Sequence, residues 1–169
     1  MRVSAHPAAE AELEAWIDEY GDGLLRLCLL QIGDYGLAED AVQETFVRAW
    51  RGYGRFEHRC SVKTWLTAIA LNVCRSSLRG LWRRRTVPLE QLPELAGNGD
   101  PLPDFTVSRA VMKLPPELRE VVLMHELQGI KLREIAEARH IPVATVSSRL
   151  RRAKERLREE LKGWYFDEE

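Results

Sequence analysis

Between Arg149 and Arg158 the chain carries six arginines and lysines against one acid, Glu155, and Thr145, Ser147 and Ser148 stand just ahead of them. Guanidinium groups grip phosphate oxygens and pair two-pronged with guanine edges, and hydroxyls bond to either. The set therefore suits a polyanion with readable edges. Val146, Leu150, Ala153 and Leu157 recur at three- and four-residue steps, which predicts a helix with one buried stripe and the basic residues outside it. At about 100° per residue, Arg149 and Arg152 share a face with Thr145 and Ser148 on neighbouring turns, and Arg151 is turned away. The first pair are the expected groove residues and Arg151 an expected flanking phosphate contact.

An element must aim that helix. Leu132, Ile135 and Ala136 give a short apolar face just upstream, His140 and Ile141 break it, and Pro142 suits the opening of the next helix. Helix, tight turn, polar and basic helix is helix-turn-helix geometry, which lays the second helix in a DNA major groove. The same residues also fit an amphipathic hairpin with a solvated charged face.

A net charge of −1 argues against a nucleic-acid protein until its distribution is read. Residues 48–85 hold ten basic residues and one acid, Glu57, whereas residues 1–47 hold two basic and ten acidic. Two basic zones, 48–85 and 149–158, thus sit in an otherwise acidic chain, as separate phosphate-binding surfaces would. Cys28, Cys60 and Cys74 are odd in number and widely spaced, so reduced thiols and a cytoplasmic location are expected. His58 and Cys60 alone are too few for a metal site. No run of 18 apolar residues is present, so no membrane insertion is expected, and MRVSAHPAAEAELEAW lacks the pattern of a secretory signal. Phosphate-binding loop, zinc motif and nucleophile elbow are all missing, so no enzyme activity and no cofactor are expected.

No strand-like alternation stands out, and the fold class expected is all-α. Ala11 to Leu30 reads as a helix or a pair broken near Gly21-Asp22-Gly23. Ala38, Ala41, Val42, Thr45, Phe46, Ala49 and Trp50 mark a second helix, ended by Gly52 and Gly54. A loop follows over Arg55–Cys60, and Ser61 caps a third helix with the stripe Val62, Trp65, Leu66, Ile69, Ala70 and Val73, continuing toward Arg79 and Gly80. The proline-rich stretch from Thr86 reads as a flexible linker. Regular helix returns near Val107, Pro115-Pro116 opens a helix closed by Gly129, and Gly163 ends the last one. The expected division is two small helical domains, 1–85 and 107–163, with a linker over 86–106 and a tail over 164–169 whose Trp164, Tyr165 and Phe166 fold back on the last helix.

Two segments in this order, AEDAVQETFVRAW with SVKTWLTAIALNVCRSSLR, and LPPELREVVLMHELQGIKLREIAEARHIPVATVSSRLRRAKERLREEL, resemble regions 2 and 4 of the bacterial extracytoplasmic-function sigma factors. The resemblance covers roughly residues 10–162. It implies a polymerase subunit that binds core RNA polymerase through its β′ and β subunits, recognises promoter DNA at −10 and −35 elements, and is held by an anti-sigma factor. It places Asp40, Gln43 and Glu44 against β′, and these lie at i, i+3, i+4 off the apolar stripe. It places Asn72 in the −10-reading helix, with Arg55, Arg59, Lys63, Arg75 and Arg79 as strand or phosphate contacts and the 55–60 loop as a wall for a flipped base. Trp65 either stacks on DNA or joins the core. Thr145, Ser147, Ser148, Arg149, Arg151 and Arg152 match the positions that meet the −35 element. Three residues depart from the pattern. His140 stands where glycine is usual in the turn, Leu71 and Ser76 replace an arginine and an aspartate, and Ser147 replaces a frequent basic residue. The alternative is a helix-turn-helix regulator with a sensor or dimer module at its N-terminal half; the basic, tryptophan-containing 48–85 segment separates the two readings, because a regulator has no use for a second nucleic-acid surface.

Overall fold

The computed structural model describes residues 7–84 and 105–165, and every regular element in them is a helix. They are α1 (Pro7–Ile32), α2 (Tyr35–Gly52), a 3-10 turn (Tyr53–Arg55), α3 (Val62–Arg84), α4 (Phe105–Met112), α5 (Pro116–Val122), a π-helical turn (Leu123–Leu127), α6 (Leu132–Arg139) and α7 (Val143–Tyr165). Two starts show how local chemistry sets them. The Asp34 carboxylate accepts from the Leu37 N–H at 2.9 Å and opens α2. The Ser61 hydroxyl accepts from the Thr64 N–H at 3.1 Å and opens α3. Each satisfies a donor that the first helical turn leaves without a partner.

Glycines break fewer helices than their positions suggest. α1 is one helix through Gly21-Asp22-Gly23, because Leu24, Leu27 and Cys28 carry its buried stripe straight on. α3 passes Gly80, and α7 passes Gly163. A glycine inside a helix costs only about 1 kcal/mol against alanine, which packing on either side outweighs. The second group of helices begins at Phe105, two residues ahead of the expected Val107. The remainder of the linker and the packing of the terminal aromatics lie outside the described residues.

α1, α2 and α3 pack on one another, α7 packs on α4, α5 and α6, and the two groups meet where α1 touches α4 and α5 and α3 touches α6. Leu27, Leu66 and Leu71 from the first group and Leu123, Met124, Ile135 and Val146 from the second are all fully buried in one continuous apolar cluster. Cys28 and Cys74 lie inside it as free thiols. A hydrogen bond with Cys28 that favours the protonated form, together with burial, pushes the Cys74 thiol far up, which makes it a poor nucleophile. Cys60 is free and half-buried. Among the described residues no group of three side chains is arranged to hold a metal, and no helix is long and apolar enough to cross a membrane.

The turn between α6 and α7 explains the unusual His140. Its φ of 55° is left-handed. The His140 N–H donates to the Glu137 carbonyl at 3.3 Å and the Ile141 N–H to the Ala136 carbonyl at 3.1 Å, the paired bonds of a Schellman ending. Pro142 is the cap of α7 itself, its carbonyl accepting from Thr145 and Val146. Since the His140 side chain is exposed, His140→Gly removes little packing and relieves the left-handed penalty. The variant should gain roughly 0.5–1 kcal/mol in denaturant unfolding, with unchanged helicity.

Candidate nucleic-acid interface

Three surfaces carry the residues singled out by the sequence. The first is the outer face of α2. Asp40 and Gln43 are exposed, and Glu44 is half-buried and accepts from Arg48 at 2.9 Å. Val47 continues the same face at i+7 from Asp40 and is 41% exposed, large for an apolar side chain. Sequence reasoning passed over Val47, although the helical spacing that puts Asp40 and Glu44 on one face reaches it.

The second surface lies where the 3-10 turn meets α3. Phe56 and Trp65 stack with centroids 4.3 Å apart and planes 14° from parallel. Trp65 also meets Trp16 edge-on at 5.9 Å, so it joins the core on one side and lines a cavity on the other. That cavity holds about 270 Å³. The aromatic pair and Ile69 give it apolar lining, Gly52 lines it as well, and Arg48, Arg55 and Asn72 supply its polar groups. A β-carbon at Gly52 would stand 3.5 Å from the Trp65 ring, an ordinary contact, so Gly52 lies directly against that ring. Flat apolar walls with a few hydrogen-bonding groups are what an unstacked base requires.

The structure brings Arg55 and Asn72 together at this cavity and separates the others from it. Arg59 is exposed and pairs with Glu57 at 2.7 Å. Lys63 lines a second cavity, on the α1 side of α3, with Glu19, Tyr20 and Gln128. Arg79 is exposed farther along α3. Arg75 grips Glu120 with two bonds of 2.7 Å, Nε to Oε1 and Nη2 to Oε2. Arg139 reaches the same carboxylate at 3.1 and 3.3 Å through Nη2, and its Nη1 donates to Asn72 Oδ1 at 2.9 Å. Glu120 and Arg139 are almost fully buried, at 3% and 6% side-chain exposure. Burial pulls the Arg139 pKa down, the Glu120 charge opposes that, and Arg75 and Arg149 add to the downward pull. Nothing at the sequence level signals this cluster, because each of its bonds joins residues 19 to 67 apart.

The third surface is α7. Val146, Leu150 and Ala153 are buried, as the stripe required. Ser147, Arg151 and Arg152 are exposed, and Thr145, Ser148 and Arg149 are half-buried. Arg149 is near enough to Arg139 for their charges to interact. Lys154 is drawn to Glu126 of the π-helical turn at 2.9 Å, which turns one of the six basic residues from a ligand toward an internal role.

Comparison with known proteins converges on both halves. Residues 16–84 match the model of Sigma-70 region 2 and residues 105–157 that of Sigma-70 region 4. The chain is 31% identical over 163 residues to the ECF RNA polymerase sigma factor SigW of Bacillus subtilis, covering 86% of this chain and 87% of that one. It is 32% identical over 162 residues to the ECF RNA polymerase sigma factor SigC of Mycobacterium tuberculosis, covering 93% and 87%. Among solved structures, the sigma factor RpoE of Bartonella quintana, crystallised in complex with the anti-sigma factor NepR, superposes with a TM-score of 0.70 at 27% identity over 88% of this chain and 98% of that one. With both family regions present in order on an all-helical frame, the chain belongs to the extracytoplasmic-function sigma factors and is an alternative sigma factor that directs promoter-specific transcription initiation by RNA polymerase.

Proposed function

We propose that this sigma factor works through the three surfaces above, as a non-enzymatic cytoplasmic subunit built from two modules, 1–85 and 107–163, joined by residues 86–106. The observation that carries the reading is the cavity between α2 and α3, where Phe56 and Trp65 wall a space edged by Arg48, Arg55 and Asn72. It fits a base swung out of the −10 element. Arg59, Lys63, Arg75 and Arg79 then hold the backbone of the separated strand. Thr145, Ser147, Ser148, Arg149, Arg151 and Arg152 meet the −35 duplex. Asp40, Gln43, Glu44 and Val47 form the face for the β′ subunit of core polymerase, with Val47 as its apolar centre, and β contacts follow on the second module. A partner of the anti-sigma class is supported by the RpoE–NepR likeness.

The direct test adds the pure protein to core polymerase and reads initiation across a promoter library. Transcripts from a shared two-part sequence are the expected result, and none above core polymerase alone overturns the reading. The polymerase face has its own prediction. Gln43→Ala with Glu44→Ala should weaken core binding about tenfold or more in a pull-down titration. Melting should shift only slightly, since Gln43 is exposed and the i,i+4 pair lost with Glu44 is of a kind worth about 0.3–0.5 kcal/mol.

A further inference from the structure

We propose that the cavity between α1, α3 and the π-helical turn is a binding site for a small organic carboxylate with an apolar body and one hydrogen-bond donor. This cavity shares no lining residue with the one beside Phe56 and Trp65. It holds about 320 Å³, within the range of about 300–1,000 Å³ typical of small-molecule sites. Lys63 and Thr67, four residues apart on one face of α3, form one side. Glu19, Gly23 and Leu24 of α1 form a second, and Leu127 and Gln128, at the end of the π-helical turn, form a third. Thr67 is fully buried and marks the inner end, whereas half-buried Lys63 and exposed Glu19 mark the mouth.

Thr67 carries the inference. Among the described residues Thr45, Thr64 and Thr67 are all buried out of reach of bulk solvent. The Thr45 hydroxyl donates to the Ala41 carbonyl at 2.6 Å, and the Thr64 hydroxyl pairs with that of Ser61 at 2.9 Å. The Thr67 hydroxyl has no partner among the described residues. A buried hydroxyl left unbonded costs stability, so its place at the inner end of a cavity points to a ligand atom that bonds it. Gln31, Arg119 and Arg139 also carry buried polar atoms without a partner, but none of them lines this cavity.

The mouth sets the charge of the ligand. Lys63 makes no ion pair or hydrogen bond among the described residues, and Arg26 lines the same cavity. Two positive charges against the one of Glu19 suit a single negative charge, and Glu19 repels a doubly charged phosphate ester. A carboxylate spans the one helical turn between Lys63 and Thr67, accepting from the ammonium with one oxygen and from the hydroxyl with the other. The Gln128 amide nitrogen donates to the Gly23 carbonyl at 3.1 Å, which fixes the amide and leaves its oxygen to accept from the ligand's donor. Leu24 and Leu127 pack the apolar body between these ends. Lys63 belongs to the strand-holding set proposed above, but the site does not rest on that role.

Calorimetric titration of the full chain at neutral pH with 4-hydroxyphenylacetate, 4-hydroxybenzoate and anthranilate tests the site. At least one should bind saturably with a dissociation constant of about 1 mM or tighter. Its methyl ester and phenyl phosphate should each bind at least about tenfold more weakly. Lys63→Gln should weaken the acid at least about tenfold. Thr67→Val should weaken it several-fold and, by removing the unbonded hydroxyl, raise the Tm of the unliganded chain by about 2–4 °C. Thr67→Ser, which keeps the hydroxyl, should bind nearly as the wild type does. Circular dichroism checks that each variant stays helical; should Thr67→Val fail to fold, Lys63→Gln decides by itself. No saturable binding of any of the three acids leaves the cavity to solvent and overturns the site. Binding that Lys63→Gln leaves unchanged, or an ester that binds equally, overturns it too. A Tm that falls in a folded Thr67→Val would mean a hydroxyl bonded within the chain, and removes the ground for the proposal.

Discussion

Alanine at Asn72, Arg75 and Arg79 together should abolish most strand separation at the −10 element while leaving −35 duplex binding in place. Hydrogen bonds to charged groups are worth about 1.5–3 kcal/mol each, so two arginines alone account for at least roughly a hundredfold loss in the open complex. Potassium permanganate footprinting on a promoter recognised by this factor reads the opened thymines, and a gel shift on isolated −35 duplex reads the other module. The −35 complex should hold steady or strengthen, since the same substitutions also remove two partners of Glu120 and Arg139. Normal permanganate reactivity with all three replaced would place the −10 surface elsewhere.

The second large effect belongs to α7. Arg151 and Arg152 are both exposed, but they lie on opposite flanks of the outward face, with Arg152 on the side of Arg149. Arg152→Ala should cost roughly 1–3 kcal/mol on the preferred −35 sequence and relax the choice of base at one position. Arg151→Ala should weaken all duplexes alike and reduce the dependence on salt by about one unit of slope. Titrations on matched and mutated duplexes at several salt concentrations separate the two. The exchanged pattern would mean a helix rotated in its groove. Arg149→Ala should resemble Arg152→Ala but more weakly, because Arg149 is half-buried beside Arg139.

How far the sequence leads depends on the range of the interaction. The apolar stripe of α7, the cap at Ser61 and the break between α6 and α7 at His140 were all legible, because each is fixed by neighbours within a few residues. The glycines at 21, 23, 80 and 163 read as breaks and are not, since the cost of a glycine is local while the packing that overrides it is not. Among the site residues, the family resemblance grouped Asp40, Gln43 and Glu44, whose spacing puts them on one face, and it stopped short of Val47. It could not say that Lys63 faces α1, or that Asn72 and Arg75 are held from across the molecule. Glu120 was invisible for the same reason: in sequence it is one more acid on a polar helix edge, and only the fold puts two arginines around it.

The apolar cluster shared by the two helix groups carries a thermodynamic consequence. Parting the modules wets apolar surface as well as breaking ion pairs, so opening carries a positive heat-capacity change. Its free energy is then curved in temperature, and closure weakens toward the cold as hydrophobic attraction fades. The same shared core makes the chain a single cooperative unit, and two modules held apart would each bury a lesser fraction of their surface.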